Sequence, residues 1–370
     1  MNLFSDPLGA KPTILKNLNL SAIVRVLMKY HPISRTDISK KTGISKATVS
    51  KLVNILQEEN FLIEVGKRDS KGGKKQVLLG LNPNKAKNIV VDISLRETTV
   101  AVADFSYNLS HKRVFKTISN LSKFIKELVL TIRKIIEETK IKPYKTVLSV
   151  SGTVDSNLKK IYNVPLLNWK DILLADMIEL QLHKHGISTD VIMENDANLG
   201  IIAEVMLNSE ISTRNKNTVF ILVKEGIGIG LYLNNGFYFG RSHSAGEFGH
   251  MIIDMNSSGK QKWLDLAGSE ELDKFVKEDK LDEYSKILGT GVLNIINGLD
   301  PDQIVFSGSV AKYWNSIYPF IKKMMNKNTN VKDPEDILVV PSFFENIESP
   351  LLGGAIIGYR DYIEMKGIND

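Results

Sequence analysis

Glu194-Asn195-Asp196-Ala197-Asn198, directly after the short apolar run Asp190-Val191-Ile192-Met193, is the stretch that decides the fold. A strand that ends in carboxylates and carboxamides, with a helix starting at Ala197, places hydrogen-bonding groups at the carboxyl edge of a sheet, where α/β folds hold ligands. Two carboxylates and two amides suit a polyol, because the acids accept from hydroxyls while the amides both donate and accept. Helix capping is the alternative: Asp196 or Asn198 can satisfy the free amides of the first helical turn.

Outward from this stretch the pattern is α/β. Residues 89–93, 98–104 and 114–117 read as successive strands of an antiparallel sheet, 121–139 as a helix and 146–150 as a further strand. The order of sheet and helix returns, with strands at 218–223 and 228–234, long helices around 270–297 and a strand at 303–306. Pro83 and Asn84 mark a linker over 81–88. The chain thus divides into an N-terminal unit, 1–80, and a two-lobed body, 89–370, in keeping with 370 residues being too many for one core. In Leu351-Leu352-Gly353-Gly354-Ala355-Ile356-Ile357-Gly358 small residues recur at close spacing, which predicts tight helix packing inside the body.

Composition excludes several classes. With 43% hydrophobic and 24% charged residues the chain reads as globular and soluble, and runs such as 219–223 are far too short to span a bilayer. The first residues hold no basic segment followed by an apolar core, so a cytoplasmic protein is expected, with no membrane partner. The absence of cysteine removes disulfides and thiolate metal sites. The net charge of +6 is uneven: residues 1–82 carry 14 Lys and Arg against 6 Asp and Glu, the remainder 34 against 36. A basic partner surface therefore belongs to the N-terminal unit and points to nucleic acid or an anionic membrane surface.

That unit has helix-turn-helix spacing. A helix from Leu20 through Leu27 runs toward Tyr30 and stops before Pro32; Ser34 caps a second helix, 35–41; Thr42-Gly43-Ile44-Ser45 turns; and Ser45 caps a third. In the third, Val49, Leu52, Val53 and Leu56 form the inward stripe, leaving Lys46, Thr48, Ser50, Lys51 and Asn54 outside, where the N-terminal half would face base edges. Residues 61–65 and 76–79 read as strands joined by a loop, 66–75, whose Lys67, Arg68, Lys71, Lys74 and Lys75 make a basic wing. A winged helix-turn-helix that binds DNA through Arg35, Ser45, Lys46, Thr48, Ser50, Lys51 and the wing is the expectation.

Residues 33–38 and 43–50, Gly43-Ile44-Ser45-Lys46-Ala47-Thr48-Val49-Ser50 above all, resemble the DNA-binding module of the ROK-family sugar-responsive repressors, the NagC and XylR type. The body resembles the same family at Ser151-Gly152-Thr153-Val154-Asp155, at 194–198, at Gly226-Ile227-Gly228-Ile229-Gly230, at Gly246-Glu247-Phe248-Gly249-His250 and from Leu299-Asp300-Pro301 to Ser307-Gly308. The resemblance covers essentially the whole chain. It implies a two-lobed actin-like sugar-kinase fold, and a sugar site of Asn195, Asp196, Glu247 and His250 with Gly152 closing over the ring. It also places Asp196 at the position of the family's catalytic base and Asp265 at that of a glutamate that contacts sugar.

Departures from the family weigh against an enzyme. Where ROK kinases have Asp-x-Gly-Gly-Thr, this chain reads Asp92-Ile93-Ser94-Leu95-Arg96-Glu97, whose side chains block the approach of backbone amides to phosphate. Where they have Gly-Thr-Gly it reads Lys224-Glu225-Gly226, setting a carboxylate where polyphosphate should lie, with Lys224 as its available counter-charge. No ATP is expected. The histidine and three cysteines that hold zinc in many members reduce to His250 alone, so no zinc is expected, and Trp263 is expected to pack in its place. Together these features describe a transcriptional regulator, a repressor expected to bind operator DNA and to be relieved by a sugar or sugar derivative, acting as a dimer or tetramer; a sugar kinase using Asp196 as base is the alternative.

Overall fold

The computed structural model describes residues 12–70, 73–209, 211, 216–256, 259–344 and 348–364. Helix α1 (Pro12–Tyr30) opens the N-terminal unit. It starts eight residues before Leu20, because Pro12 stands at a helix's first position, where its missing N–H is not needed. Leu15 and Leu18 on the added turns stay exposed, so no apolar stripe announced them. Strand β1 (Ile33–Ser34), α2 (Arg35–Thr42) and α3 (Lys46–Glu58) follow. The Ser34 hydroxyl accepts from the Asp37 amide and that of Ser45 from the Thr48 amide, so both helices begin at the predicted caps. Gly43, at φ 74°, ends α2 in the left-handed region that suits glycine. Ile38, Val49, Leu52, Val53 and Leu56 are buried together.

Strands β2 (Leu62–Ser70) and β3 (Gly73–Leu81) complete a sheet in the order β1-β3-β2. They extend further than the apolar residues indicate, because backbone pairing continues along the hairpin: Lys67 lies opposite Val77 and Arg68 opposite Gln76. Lys67, Arg68 and Lys75 therefore stand on a ladder and not in a loop. Lys71 lies outside the described residues, as does the side chain of Lys74.

The body's first lobe runs β4 (Lys87–Ile93), β5 (Glu97–Asp104), β6 (Leu109–Lys116), α4 (Leu121–Thr139), β7 (Lys145–Val150), β8 (Thr153–Asp155), β9 (Lys160–Val164), β10 (Trp169–Ile172), α5 (Leu174–Lys184) and β11 (Asp190–Asn195). Its main sheet, β11-β7-β4-β5-β6, is mixed: β4, β5 and β6 pair antiparallel while β7 and β11 run parallel to β4. Phe124, Leu128 and Ile132 of α4 and Ile178 of α5 cover one face over Ile89, Val91 and Leu148. The second lobe runs α6 (Asp196–Leu207), β12 (Thr218–Val223), β13 (Ile227–Leu233), β14 (Gly236–Phe237), β15 (Ile252–Asn256), β16 (Gly259–Lys262), α7 (Trp263–Ala267), α8 (Ser269–Lys277), α9 (Leu281–Leu299), β17 (Gln303–Gly308), α10 (Trp314–Asn328), β18 (Leu338–Pro341), α11 (Ser349–Gly358) and α12 (Arg360–Ile363). Its sheet is ordered β14-β13-β12-β17-β18.

Helices α6 and α11 join the sheets: α6 lies on β12 and β13, α11 on β4 and β7, and the two pack on each other. A Cβ on Gly353 would fall 2.0 Å from the Leu199 carbonyl, so glycine is what lets the helices approach. The small-residue run at 351–358 is thus used inside the body.

The N-terminal unit docks on this frame. The Phe61 ring meets Phe105 at 5.6 Å and Tyr362 at 5.5 Å, both edge-on. Lys85, in the connection between β3 and β4, lies over the Phe61 ring at 4.4 Å. Lys29 of α1 donates to the carbonyls of Val205, at 3.4 Å, and Ile211, at 2.9 Å, at and beyond the C-terminal turn of α6. One apolar cluster runs without a break from Leu27 and Val53 through Phe61 to Phe105, Leu199 and Tyr359. Among the described residues no helix is long and apolar enough to cross a membrane.

Candidate functional site

Strands β7, β11 and β12 end at a cleft between the lobes with a volume of about 520 Å³. Ser151 and Gly152 follow β7, Asn195 and Asp196 follow from β11 into α6, and Lys224 follows β12; all of them line it. The parallel register that puts Asn195 opposite Val150 explains why residues 45 positions apart meet here.

The five residues at 194–198 take separate roles. Glu194 and Asn198 are buried and bonded to each other at 3.0 Å, and the Ser156 hydroxyl also donates to Glu194. Asn195 is the helix cap: its Oδ1 accepts from the amides of Ala197 at 2.9 Å and Asn198 at 3.1 Å. Helix α6 consequently begins at Asp196 and not at Ala197; Asn195 is its cap, and of the two residues the sequence offered Asp196 also accepts from the Ala197 amide, through Oδ1 at 2.9 Å, while Asn198 turns to Glu194. The same side chain donates through Nδ2 to the Gly152 carbonyl at 2.9 Å, fixing the loop from the other strand. Asp196 accepts from the Ser151 hydroxyl and lies 3.3 Å from the Lys224 ammonium.

Lys224 does not neutralise Glu225, the partner its sequence position suggested. Its Nζ turns inward to Asp92, at 2.9 Å and 3.2 Å from the two carboxylate oxygens, and to Ser94 Oγ at 2.9 Å. Burial alone would lower the Lys224 pKa, but Asp92 and Asp196 more than offset this and hold it above the ordinary lysine range. Glu225 faces Arg96 at 3.9 Å, and Arg96 in turn bonds Glu270 at 3.0 Å. The glycines of β13 serve packing: a Cβ on Gly230 would stand 2.3 Å from the Ala197 carbonyl, so α6 can start this close to the strand only over glycine.

At the rim, Thr153 of the first lobe donates to Glu247 of the second at 3.2 Å. His250 is exposed, with Nε2 3.6 Å from Glu247 and Nδ1 3.3 Å from Lys262 Nζ. Asp265 is exposed on the cleft wall. Trp263 is fully buried against Gly291, the apolar packing expected of it. Ser151, Thr153 and His243 also face the cleft; His243 meets Asn157 at 3.0 Å and stacks on Phe239. None of the three is assigned a role from the sequence, although Ser151 and Thr153 flank Gly152 in a stretch that matches the family and His243 lies close to the segment 246–250. Among the described residues no group of three His, Cys, Asp or Glu could hold a metal ion.

On the N-terminal unit, Lys46, Ser50, Lys51 and Asn54 form one exposed face of α3. Thr48 and Ser45 share a hydroxyl contact at 2.9 Å at its start. Arg35 is less free: it donates to Gln57 at 2.7 Å and Asn54 at 3.3 Å. Arg68 bonds Asp37 at 2.5 Å and Gln76 at 3.0 Å, tying the hairpin to α2. Slight burial works against the Asp37 charge, but the Ser34 hydroxyl and Arg68 prevail and hold its pKa below the usual carboxylate value.

Comparison with known proteins adds four observations. Residues 88–271 match the ROK family. The xylose repressor of Bacillus subtilis is 28% identical, over 96% of this chain and 98% of its own. Among solved structures, a ROK family transcriptional regulator, a homologue of the E. coli MLC protein, superposes with a TM-score of 0.73 at 18% identity, covering 96% of this chain and 99% of its own. A ROK family glucokinase from Streptomyces griseus, solved with glucose and AMPPNP, gives 0.64 at 17% identity, covering 74% of this chain and 100% of its own.

Proposed function

The chain belongs to the ROK family through its body, and from that premise we propose that it is a sugar-responsive transcriptional repressor whose N-terminal unit binds operator DNA. The observation that carries this is the joining, in one continuous core, of a basic helix-turn-helix to a polyol-type cleft lined by a buried lysine paired with Asp92. Full-length similarity to a xylose repressor supports a pentose or hexose as effector. Asp196, Glu247 and the hydroxyls of Ser151 and Thr153 offer the acceptors and donors that ring hydroxyls require.

The signal has a physical route. Helix α6 has its head, Asn195 and Asp196, in the cleft and its far end against Lys29 of α1. A sugar that draws the lobes together moves this helix, and α1 moves with it. In a dimer or tetramer two reading helices must lie about 34–36 Å apart to enter successive major grooves, so a small rotation is enough to release DNA. The effector acts by favouring one of two existing arrangements.

Asp196 in the cleft favours a second reading, ATP-dependent sugar phosphorylation with this carboxylate as base. Against it, the Lys224 ammonium competes for the lone pair that a base would use. Thermal melting with D-xylose, other monosaccharides, their phosphates and ATP separates the two. A sugar shift that is lost in Glu247→Ala, with no ADP formed in the presence of magnesium, supports the regulator. ADP formation abolished by Asp196→Asn overturns it.

A further inference from the structure

We propose that Lys224 is a resident cation: its ammonium permanently fills an oxygen cage between the lobes that would otherwise take a hard metal ion, and so restricts the cleft to ligands that bring no metal-bound phosphate. The clause on ligands rests on the sugar-effector reading above; the cage does not.

The cage is built entirely by elements other than the one that delivers the lysine. Asp92, at the end of β4, presents both carboxylate oxygens, Ser94 its hydroxyl, and Asp196, at the head of α6, one carboxylate oxygen at 3.3 Å. A second ring holds these oxygens in place: Ser149 donates to Asp92 at 2.7 Å, Ser94 to Asp92 at 3.1 Å, and Ser151 to Asp196. Carboxylates backed by hydroxyls are the donor set of a hard cation such as magnesium, which commonly takes only one or two carboxylates and completes its shell with water. All three charged groups are shielded: Lys224 is 8% exposed, Asp92 7% and Asp196 5%. Two carboxylates this buried and this close need a positive charge between them. A tethered ammonium meets that need without an ion, is always present, and cannot be lost to a chelator. It also holds one oxygen of Asp196, Oδ2, inward, while Oδ1 accepts from the Ala197 amide at 2.9 Å.

The consequence is measurable by melting the full chain with and without divalent cations. The wild type is expected to be indifferent to magnesium, manganese and EDTA. Lys224→Ala is expected to melt lower and to recover with about 10 mM manganese or magnesium, saturably and by roughly 3 °C or more. The double variant Lys224→Ala with Asp92→Asn is expected not to recover. A wild type that responds as strongly as the variant, or a variant that no divalent cation stabilises, overturns the proposal. If Lys224→Ala aggregates, Lys224→Gln is read in the same way, and aggregation of both that manganese does not relieve also overturns it. D-xylose is added in a parallel arm: no sugar shift in the wild type counts against xylose as effector but leaves the cation result standing.

Discussion

Replacing Asn195 separates the two jobs its side chain performs. Its Oδ1 caps α6 through two amides, and its Nδ2 holds the Gly152 carbonyl across the β7–β11 edge. Loss of a cap costs about 1 kcal/mol, within a range of roughly 0.5–2, and loss of a neutral hydrogen bond about 1 kcal/mol more. Asn195→Ala is therefore expected to destabilise by about 2 kcal/mol, which lowers Tm by roughly 3–4 °C in a body of this size. Asn195→Asp keeps an oxygen that caps as well and suits a helix N-terminus, so it should lose only the Gly152 contact, about 1 kcal/mol and roughly 2 °C. Both variants should lose most of any sugar-induced shift, because the Gly152 loop is no longer held over the cleft. The assay is differential scanning fluorimetry with and without D-xylose. Equal destabilisation by the two variants would refute the cap assignment, and an undiminished sugar shift in Asn195→Ala would refute the loop's role in binding.

Two further outcomes follow from the contacts of the N-terminal unit. Burial first, and the charge of Lys41 second, pull the Lys29 pKa down to about 8. The unfolded chain then binds more protons than the folded one between about pH 8 and the ordinary lysine value, so the wild type should gain stability relative to Lys29→Met as the pH rises through that window. The same variant should keep its sugar shift while the sugar's effect on DNA affinity shrinks; a flat pH difference together with an unaltered DNA response would refute the route through α6. For the wing, Lys67→Ala should reduce the slope of log affinity against log salt by about 1. Arg68→Ala, whose guanidinium is already held by Asp37, should leave that slope nearly unchanged; the reverse ranking in a fluorescence-anisotropy titration would exchange their roles.

What was legible in the sequence was local. Ser34 and Ser45 announced their helices because a cap acts within three residues, and Val49, Leu52, Val53 and Leu56 announced a buried stripe because helical periodicity is short-ranged. The cleft was legible as a set of residue types at 194–198, but not in its wiring: which of Asn195, Asp196 and Asn198 caps depends on the backbone angle at the strand's end, set by pairing with β7. Lys224 was misassigned to Glu225 because neighbours in sequence alternate sides along and just beyond a strand, and its true partners arrive from residues 92, 94 and 196. The contact of Phe61 with Phe105 and Tyr362 joins residues up to three hundred positions apart and leaves no periodic trace.

That aromatic contact bears on how the protein can be rebuilt. A reading head exchanged between relatives by cutting directly after Leu81 would carry Phe61 away from Phe105, Tyr362 and Lys85, and would bring a foreign side chain into an edge-on ring cluster. Lys29 would likewise be parted from the carbonyls of Val205 and Ile211. A chimaera with altered DNA preference should therefore inherit its sugar response only if the graft includes the receiving surface, the end of β5 and helix α12, along with the helices that touch DNA.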